Sequence, residues 1–168
     1  AFQMGVKFDR ILNGFDGPFE EISGLAKPLP GKTSSLNSAK GFLLRYDCND
    51  AVIAVNRLLK QGAKIFWLNE SLPVKEKTYP AGTIFITSSN STEAMLNTFS
   101  KDLGLNFDAI NFVPSVKSVQ MNLARIALWD RYGGSMESGW TRWLLEQFEF
   151  PFEVVYPKTL NEENLSDK

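Results

Sequence analysis

The chain has 168 residues, no histidine, one cysteine (Cys48), 18 basic and 19 acidic side chains, and a formal net charge of −1. Histidine is the commonest metal ligand and the usual general base near neutral pH, so its absence excludes a Ser-His-Asp triad, a Cys-His pair and any histidine-bearing zinc site within this chain. A lone cysteine excludes an internal disulfide and a multi-cysteine zinc site; the charge balance lacks the basic stripe of a nucleic-acid binder; and no apolar run approaches the ~18 residues of a membrane span.

Phe2, Met4, Val6 and Phe8 alternate with Gln3, Gly5 and Lys7, the period-two signal of a strand. Gly14, Gly17, Pro18, Gly24, Pro28, Pro30 and Gly31 follow, with Ser34, Ser35 and Ser38. That density of turn formers predicts loop or extended edge. Residues 1–40 are therefore expected to be a loop-rich segment lying across a neighbouring surface.

Phe42–Tyr46 reads as a strand, and Asp47, Asn49 and Asp50 are N-cap types for the helix expected over Asp50–Gln61. Val52, Val55, Leu58 and Leu59 give that helix an apolar face, Gly62 ends it, and Lys64–Leu68 is the next strand. Glu70–Pro80 is polar and holds Pro73 and Pro80, which predicts a connector. A strand is expected at Thr83–Thr87; because its link to Lys64–Leu68 lacks a helical pattern, antiparallel pairing of the two is open. Asn90 and Glu93 have capping-box spacing ahead of a helix over Thr92–Leu103, whose stripe is Met95, Leu96, Phe99 and Leu103 and whose stop is Gly104. Leu105–Phe112 is ambiguous, and Pro114–Gln120 reads as a connector. These elements make an α/β region over 41–118.

Residues 119–168 carry a second pattern. Arg125–Trp129 is a short apolar run, Tyr132–Gly139 a Gly/Ser loop, Trp140, Trp143, Leu144 and Phe148 share a helical face, and Phe152–Tyr156 is another apolar run. Strand, helix, strand is the opening of a parallel sheet. The expected fold class is α/β, with Rossmann/flavodoxin-like three-layer units and a mixed, largely parallel sheet. The chain stops twelve residues after Tyr156, so that sheet is expected to be cut short at its C-terminus. An open edge at Phe152–Tyr156 predicts self-association there or through the face around Trp140 and Trp143, or else marginal stability, unless the Phe107 region or the Phe2–Phe8 strand covers it.

The first site candidate is the loop Asp130–Gly139. A helix N-terminus gathers free N–H groups and partial positive charge, which suits a carboxylate or phosphate. Gly133 and Gly134 would let a ligand approach, Ser135 and Ser138 offer hydroxyls, and Arg131 and Arg142 add charge. Against this, either serine serves equally as a plain cap, and no GxGxxG or phosphate-loop motif is present. Cys48 stands between a strand and a helix, a nucleophile's position, but lacks a histidine base and is flanked by Asp47 and Asp50; a structural role is the plainer reading. The same Asp47–Asp50 stretch has too few oxygens at the right spacing for calcium. Trp129, Trp140 and Trp143 fit core packing better than a sugar platform. Glu20/Glu21 and Glu162/Glu163 read as solvated faces. No metal site and no cofactor are expected in this chain.

The run QMNLARIALWDRYGGSMESGWTRWLLEQFEFPFEVVYP resembles a segment of large secreted bacterial zinc carboxypeptidase-like proteins. It lies there downstream of the metallopeptidase domain, where a class I glutamine-amidotransferase-like α/β domain begins. NDAVIAVNRLLKQGAKIFWL, YPAGTIFI and AFQMGVKFDRI are similar to the region before it. The carboxypeptidase HxxE motif and distant His have no counterpart in a chain without histidine, and the amidotransferase nucleophile elbow is not reached. The resemblance thus implies a non-catalytic accessory region that braces or regulates a peptidase domain in the same polypeptide, exported, with zinc held only by that domain. The alternative from the residues is a small-anion or peptide-binding module using the Gly133–Gly139 loop. An enzyme working through carboxylates alone is the remaining reading.

Overall fold

A computed structural model describes residues 8–89 and 91–162. The strand expected at Phe2–Phe8, Asn90 and Glu163 fall wholly or mainly outside them. In chain order the elements are β1 (Gly41–Leu44), α1 (Asp50–Lys60), β2 (Ile65–Leu68), β3 (Leu72–Val74), β4 (Lys77–Tyr79), β5 (Ile84–Thr87), α2 (Thr92–Leu103), β6 (Phe107–Ile110), β7 (Ser118–Gln120), β8 (Ala127–Trp129), α3 (Met136–Gln147), β9 (Glu153–Val155) and α4 (Pro157–Glu162).

The main sheet has the order β6-β1-β5-β2-β7, and every neighbouring pair in it is antiparallel. This overturns the expected Rossmann/flavodoxin-like, largely parallel sheet. The β1-α1-β2 stretch does exist, but β5 is inserted between its strands; likewise β1 separates β5 from β6 in β5-α2-β6. Two such interleaved units are the split βαβ arrangement of ferredoxin-like folds. The expected antiparallel pairing of the Lys64–Leu68 and Thr83–Thr87 strands is present, with Phe66 opposite Phe85.

The reason for the misread direction lies in the burial. Strands covered on both faces read as continuous apolar runs, the usual mark of parallel sheets. Here Phe42, Leu44, Ile65, Ile84, Ile86 and Phe107 face the helix side, packed with Ala54, Val55, Leu58, Leu96 and Phe99. Leu43, Leu68, Phe85 and Ile110 alternate to the other face. That face is covered by the β3–β4 hairpin through Leu72 and Tyr79. Each buried Leu or Phe side chain contributes about 1.5–3 kcal/mol, so the hairpin is an energetic part of the core. The stretch expected to be a connector, Glu70–Pro80, is this hairpin, and Pro114–Gln120 contains the edge strand β7.

α1 and α2 end as their sequences predict. Gly62 and Gly104 take left-handed φ values of +74° and +67°, which glycine adopts without a Cβ penalty. The N-caps differ: Asn49 and Ser91 occupy the cap positions with helical backbone angles and make no side-chain cap hydrogen bond.

Residues 31–40 run along the β6 edge. Ser34 N donates to Phe107 O at 2.8 Å, Lys40 N to Ile110 O at 2.8 Å, and Thr33 bridges Phe107 in parallel. Gly31 admits this path because a Cβ there would collide with Leu105 O. Every residue from 8 to 30 is exposed, and none lies in a helix or strand.

The β8–α3–β9 unit is separate from the main sheet. β8 and β9 pair in parallel, Leu128 opposite Val154, as expected for Arg125–Tyr156. Among the described residues these strands have no further neighbour. Trp129, Trp140 and Trp143, expected in the core, are 50%, 62% and 49% exposed. Their helical spacing does place Trp140 and Trp143 together, rings edge-to-face at 6.0 Å, but no described layer covers them.

Candidate functional site

The Asp130–Gly139 loop folds around its own polar groups. Gly133 and Gly134 hold φ at +85° and +76°, which makes the tight turn into α3 available to them at little cost. Ser135 is the N-cap: its Oγ accepts from Ser138 N at 3.2 Å, and Ser138 Oγ donates to Ser135 O at 3.2 Å. Arg131 Nε donates to Gly134 O at 3.1 Å. A cavity of about 500 Å³ opens beside the loop, lined by Arg131, Ser135, Ser138, Glu137, Thr141 and Trp129 among others. The loop thus brings Arg131, Ser135 and Ser138 to one wall. Arg142 is not part of it; its Nε is engaged by Glu146 Oε1 at 2.8 Å, one turn along α3. Both serines are occupied in capping, and Glu137 adds a carboxylate to the positive end of the helix.

Around this loop the unit presents an aromatic surface. Tyr132 stacks on Tyr156 with ring centroids 5.2 Å apart. With Met136, Trp140, Trp143 and Leu144 they form a set of large apolar side chains that water reaches. The Tyr132–Tyr156 and Trp140–Trp143 pairs each set two exposed rings side by side, and adjoining exposed rings are characteristic of surfaces that meet another surface.

The unit is tied to the rest of the chain at the end of α3. Asn56 Nδ2 on α1 donates to Phe148 O at 2.8 Å. Arg57 chelates the Glu149 carboxylate, Nε to Oε2 at 3.0 Å and Nη2 to Oε1 at 2.7 Å. Those hydrogen bonds hold the Glu149 carboxyl below its usual value, desolvation opposing them.

A second polar cluster escaped sequence reasoning. Tyr79 on β4 is buried, and its hydroxyl donates to Asp108 Oδ2 on β6. Lys77 Nζ stands 3.6 Å from the same oxygen. Burial, then the Asp108 hydrogen bond, raise the Tyr79 phenol above its ordinary value. The cluster lines a cavity of about 510 Å³ between the hairpin and β6, with Lys75, Glu76, Val74 and Ile110. No motif spacing announces it, because the partners lie 29 residues apart and meet only when the hairpin folds over the sheet. The one local signal is alternation in Lys77-Thr78-Tyr79, which puts a charge and a phenol on one strand face.

Cys48 is exposed. Among the described residues no group of three or more His, Cys, Asp or Glu side chains could hold a metal, and no helix is long and apolar enough to cross a membrane. Comparison of the chain with family models, curated proteins and solved structures found no match.

Proposed function

We propose that this chain is a non-catalytic accessory region of a zinc carboxypeptidase-like protein, which braces or regulates the peptidase domain by surface contact. The observation that carries this reading is the β8–α3–β9 unit, whose two strands have no further neighbour among the described residues and whose α3 exposes Trp140 and Trp143. A two-stranded parallel sheet is not self-sufficient, since parallel strands are normally buried on both faces. The absence of histidine agrees with a role that leaves catalysis and zinc to another domain. The resemblance of SGWTRW and LEQF to the region downstream of such peptidases supplies the identity of the partner and an exported location.

Two measurements test it. The reading frame should encode an HxxE-bearing domain, and that domain should bind this chain with an affinity lost in a Trp140→Ser/Trp143→Ser double variant. A frame without such a domain, or binding indifferent to both tryptophans, sinks the proposal. In the isolated chain the same face would join two copies.

The cavity at Arg131 and Ser135 favours a second reading, a small-anion or peptide site at the Gly133–Gly139 loop. Thermal shift with phosphate, sulfate and acidic peptides tests it; no shift in any of them, or a shift unchanged in Arg131→Gln, removes it.

A further inference from the structure

We propose that the cleft between the β3–β4 hairpin and β6 binds a small zwitterion with an apolar body, an aliphatic α-amino acid, held between Asp108 and Lys77. The cleft is independent of the aromatic α3 surface and of the loop cavity. Its volume of about 510 Å³ lies in the ordinary range for small-molecule sites.

The charge pattern selects the class of ligand. Two cations, Lys75 and Lys77, and two carboxylates, Glu76 and Asp108, line one cavity whose wall also includes Val74 and Ile110. A simple anion would gain the lysines and meet both carboxylates. A simple cation would meet the reverse. A zwitterion satisfies both signs at once, and a branched aliphatic side chain suits the Val74 and Ile110 surface.

The acceptor is already positioned. Asp108 Oδ2 takes the Tyr79 hydroxyl and faces Lys77, whereas Oδ1 accepts no hydrogen bond among the described residues. Tyr79 is buried on its strand, so it fixes the rotamer of Asp108 before any ligand arrives. That is preorganisation of the kind that lowers the cost of binding. Lys77 is mostly exposed and 3.6 Å from Oδ2, a loose contact that can exchange one carboxylate for another. At the hairpin tip Lys75 holds φ at +53°, the left-handed conformation that a two-residue hairpin turn calls for, so the turn itself sets where the Lys75–Glu76 end of the cleft stands.

The test is calorimetric titration of the full chain with L-leucine. Saturable binding is expected, weakened at least tenfold in Asp108→Asn and in Lys77→Met and several-fold in Tyr79→Phe. Lys77 is at an exposed position, so Lys77→Met reports on the site even if Asp108→Asn impairs folding. Leucinamide lacks the carboxylate and 4-methylpentanoate lacks the ammonium; both are expected to bind at least tenfold more weakly than leucine. Absence of saturable leucine binding at millimolar concentrations overturns the proposal. So does equal affinity for either single-charge analogue, or leucine binding unaffected by Lys77→Met in a folded protein.

Discussion

Arg57 and Glu149 form a two-pronged ion pair across 92 residues of sequence, and Glu149 makes it from a left-handed backbone conformation, φ +57°. The position just past α3 is where a helix usually places glycine. A glutamate there costs about 1–2 kcal/mol of backbone strain. Its compensation is the Arg57 guanidinium, itself lying over the Phe99 ring at 5.8 Å. Glu149→Ala therefore keeps the strain and loses the pair. Glu149→Gly loses the pair and sheds the strain. Urea denaturation should find the glycine variant more stable than the alanine variant by about 1 kcal/mol; equal midpoints would show that the strain is not stored there.

The same pair sets an acid dependence. Hydrogen bonds from Arg57 hold the folded Glu149 carboxyl below its usual 4.5. A depressed folded value means that the stabilisation is present above about 4.5 and is lost as pH falls through the lower folded value. Arg57 stays charged throughout. The wild-type chain should thus exceed Arg57→Ala in stability at neutral pH, with the gap closing on acidification. Both side chains are about one-third exposed, so solvent screening limits the gap from the pair to about 1 kcal/mol. A gap that persists at pH 2 would assign it to the Phe99 contact instead.

Two glycines should respond in opposite directions. Gly41 in β1 lies against the Phe85 ring and Ile86 O, where a Cβ has no room. Gly41→Ala should cost about 1–3 kcal/mol by overpacking. Gly139 sits inside α3 with nothing within 4 Å of where a Cβ would be. Gly139→Ala should stabilise by about 0.5–1 kcal/mol through helix propensity. Thermal melts of the two variants check both signs; a destabilised Gly139→Ala would mean that another surface closes on α3.

These contrasts mark what the residues disclose on their own. α2 is present over the range expected, Thr92–Leu103, because Leu96 and Phe99 recur at helical spacing and Gly104 supplies the stop. Strand direction was not legible. A β-α-β run has the same local pattern whether its strands are neighbours or a third strand enters between them, and only long-range packing inserts β5. The β3–β4 hairpin was missed because its tip, Lys75-Glu76, has no Gly or Asn, although Lys75 adopts the conformation those residues favour. Periodicity grouped Trp140 with Trp143 but carried no information on whether a layer covers them. At the Asp130–Gly139 loop the residue types did point to a turn and a cap, and Ser135 is that cap.

Loss of the aromatic surface should leave the fold intact. Trp140 and Trp143 are substantially exposed, so Trp140→Ser/Trp143→Ser should alter the isolated chain's stability by less than about 1 kcal/mol. Light scattering should show concentration-dependent association of the parent chain and its reduction in the double variant. Unfolding of the double variant would place the tryptophans in a structural role.

Tyr79 gives the alkaline counterpart to Glu149. Burial first and the Asp108 hydrogen bond second push its phenol above the usual 10. A raised folded value means that the neutral phenol is favoured by the fold. Its contribution is complete below about 10 and declines as pH rises, because the unfolded chain ionises this tyrosine first. Tyr79→Phe keeps the ring in the core and removes both the hydrogen bond and the titration. At neutral pH it should cost about 1 kcal/mol, the net value of one hydrogen bond. Above pH 10 the deficit should shrink, since the wild-type chain alone pays for keeping this phenol protonated. Tyr46, raised by burial, remains in both proteins and leaves both with some alkaline decline. Urea midpoints measured from pH 8 upward decide the matter: parallel curves for the two proteins would mean that Tyr79 ionises as freely in the fold as outside it, and that the Asp108 contact does not hold it.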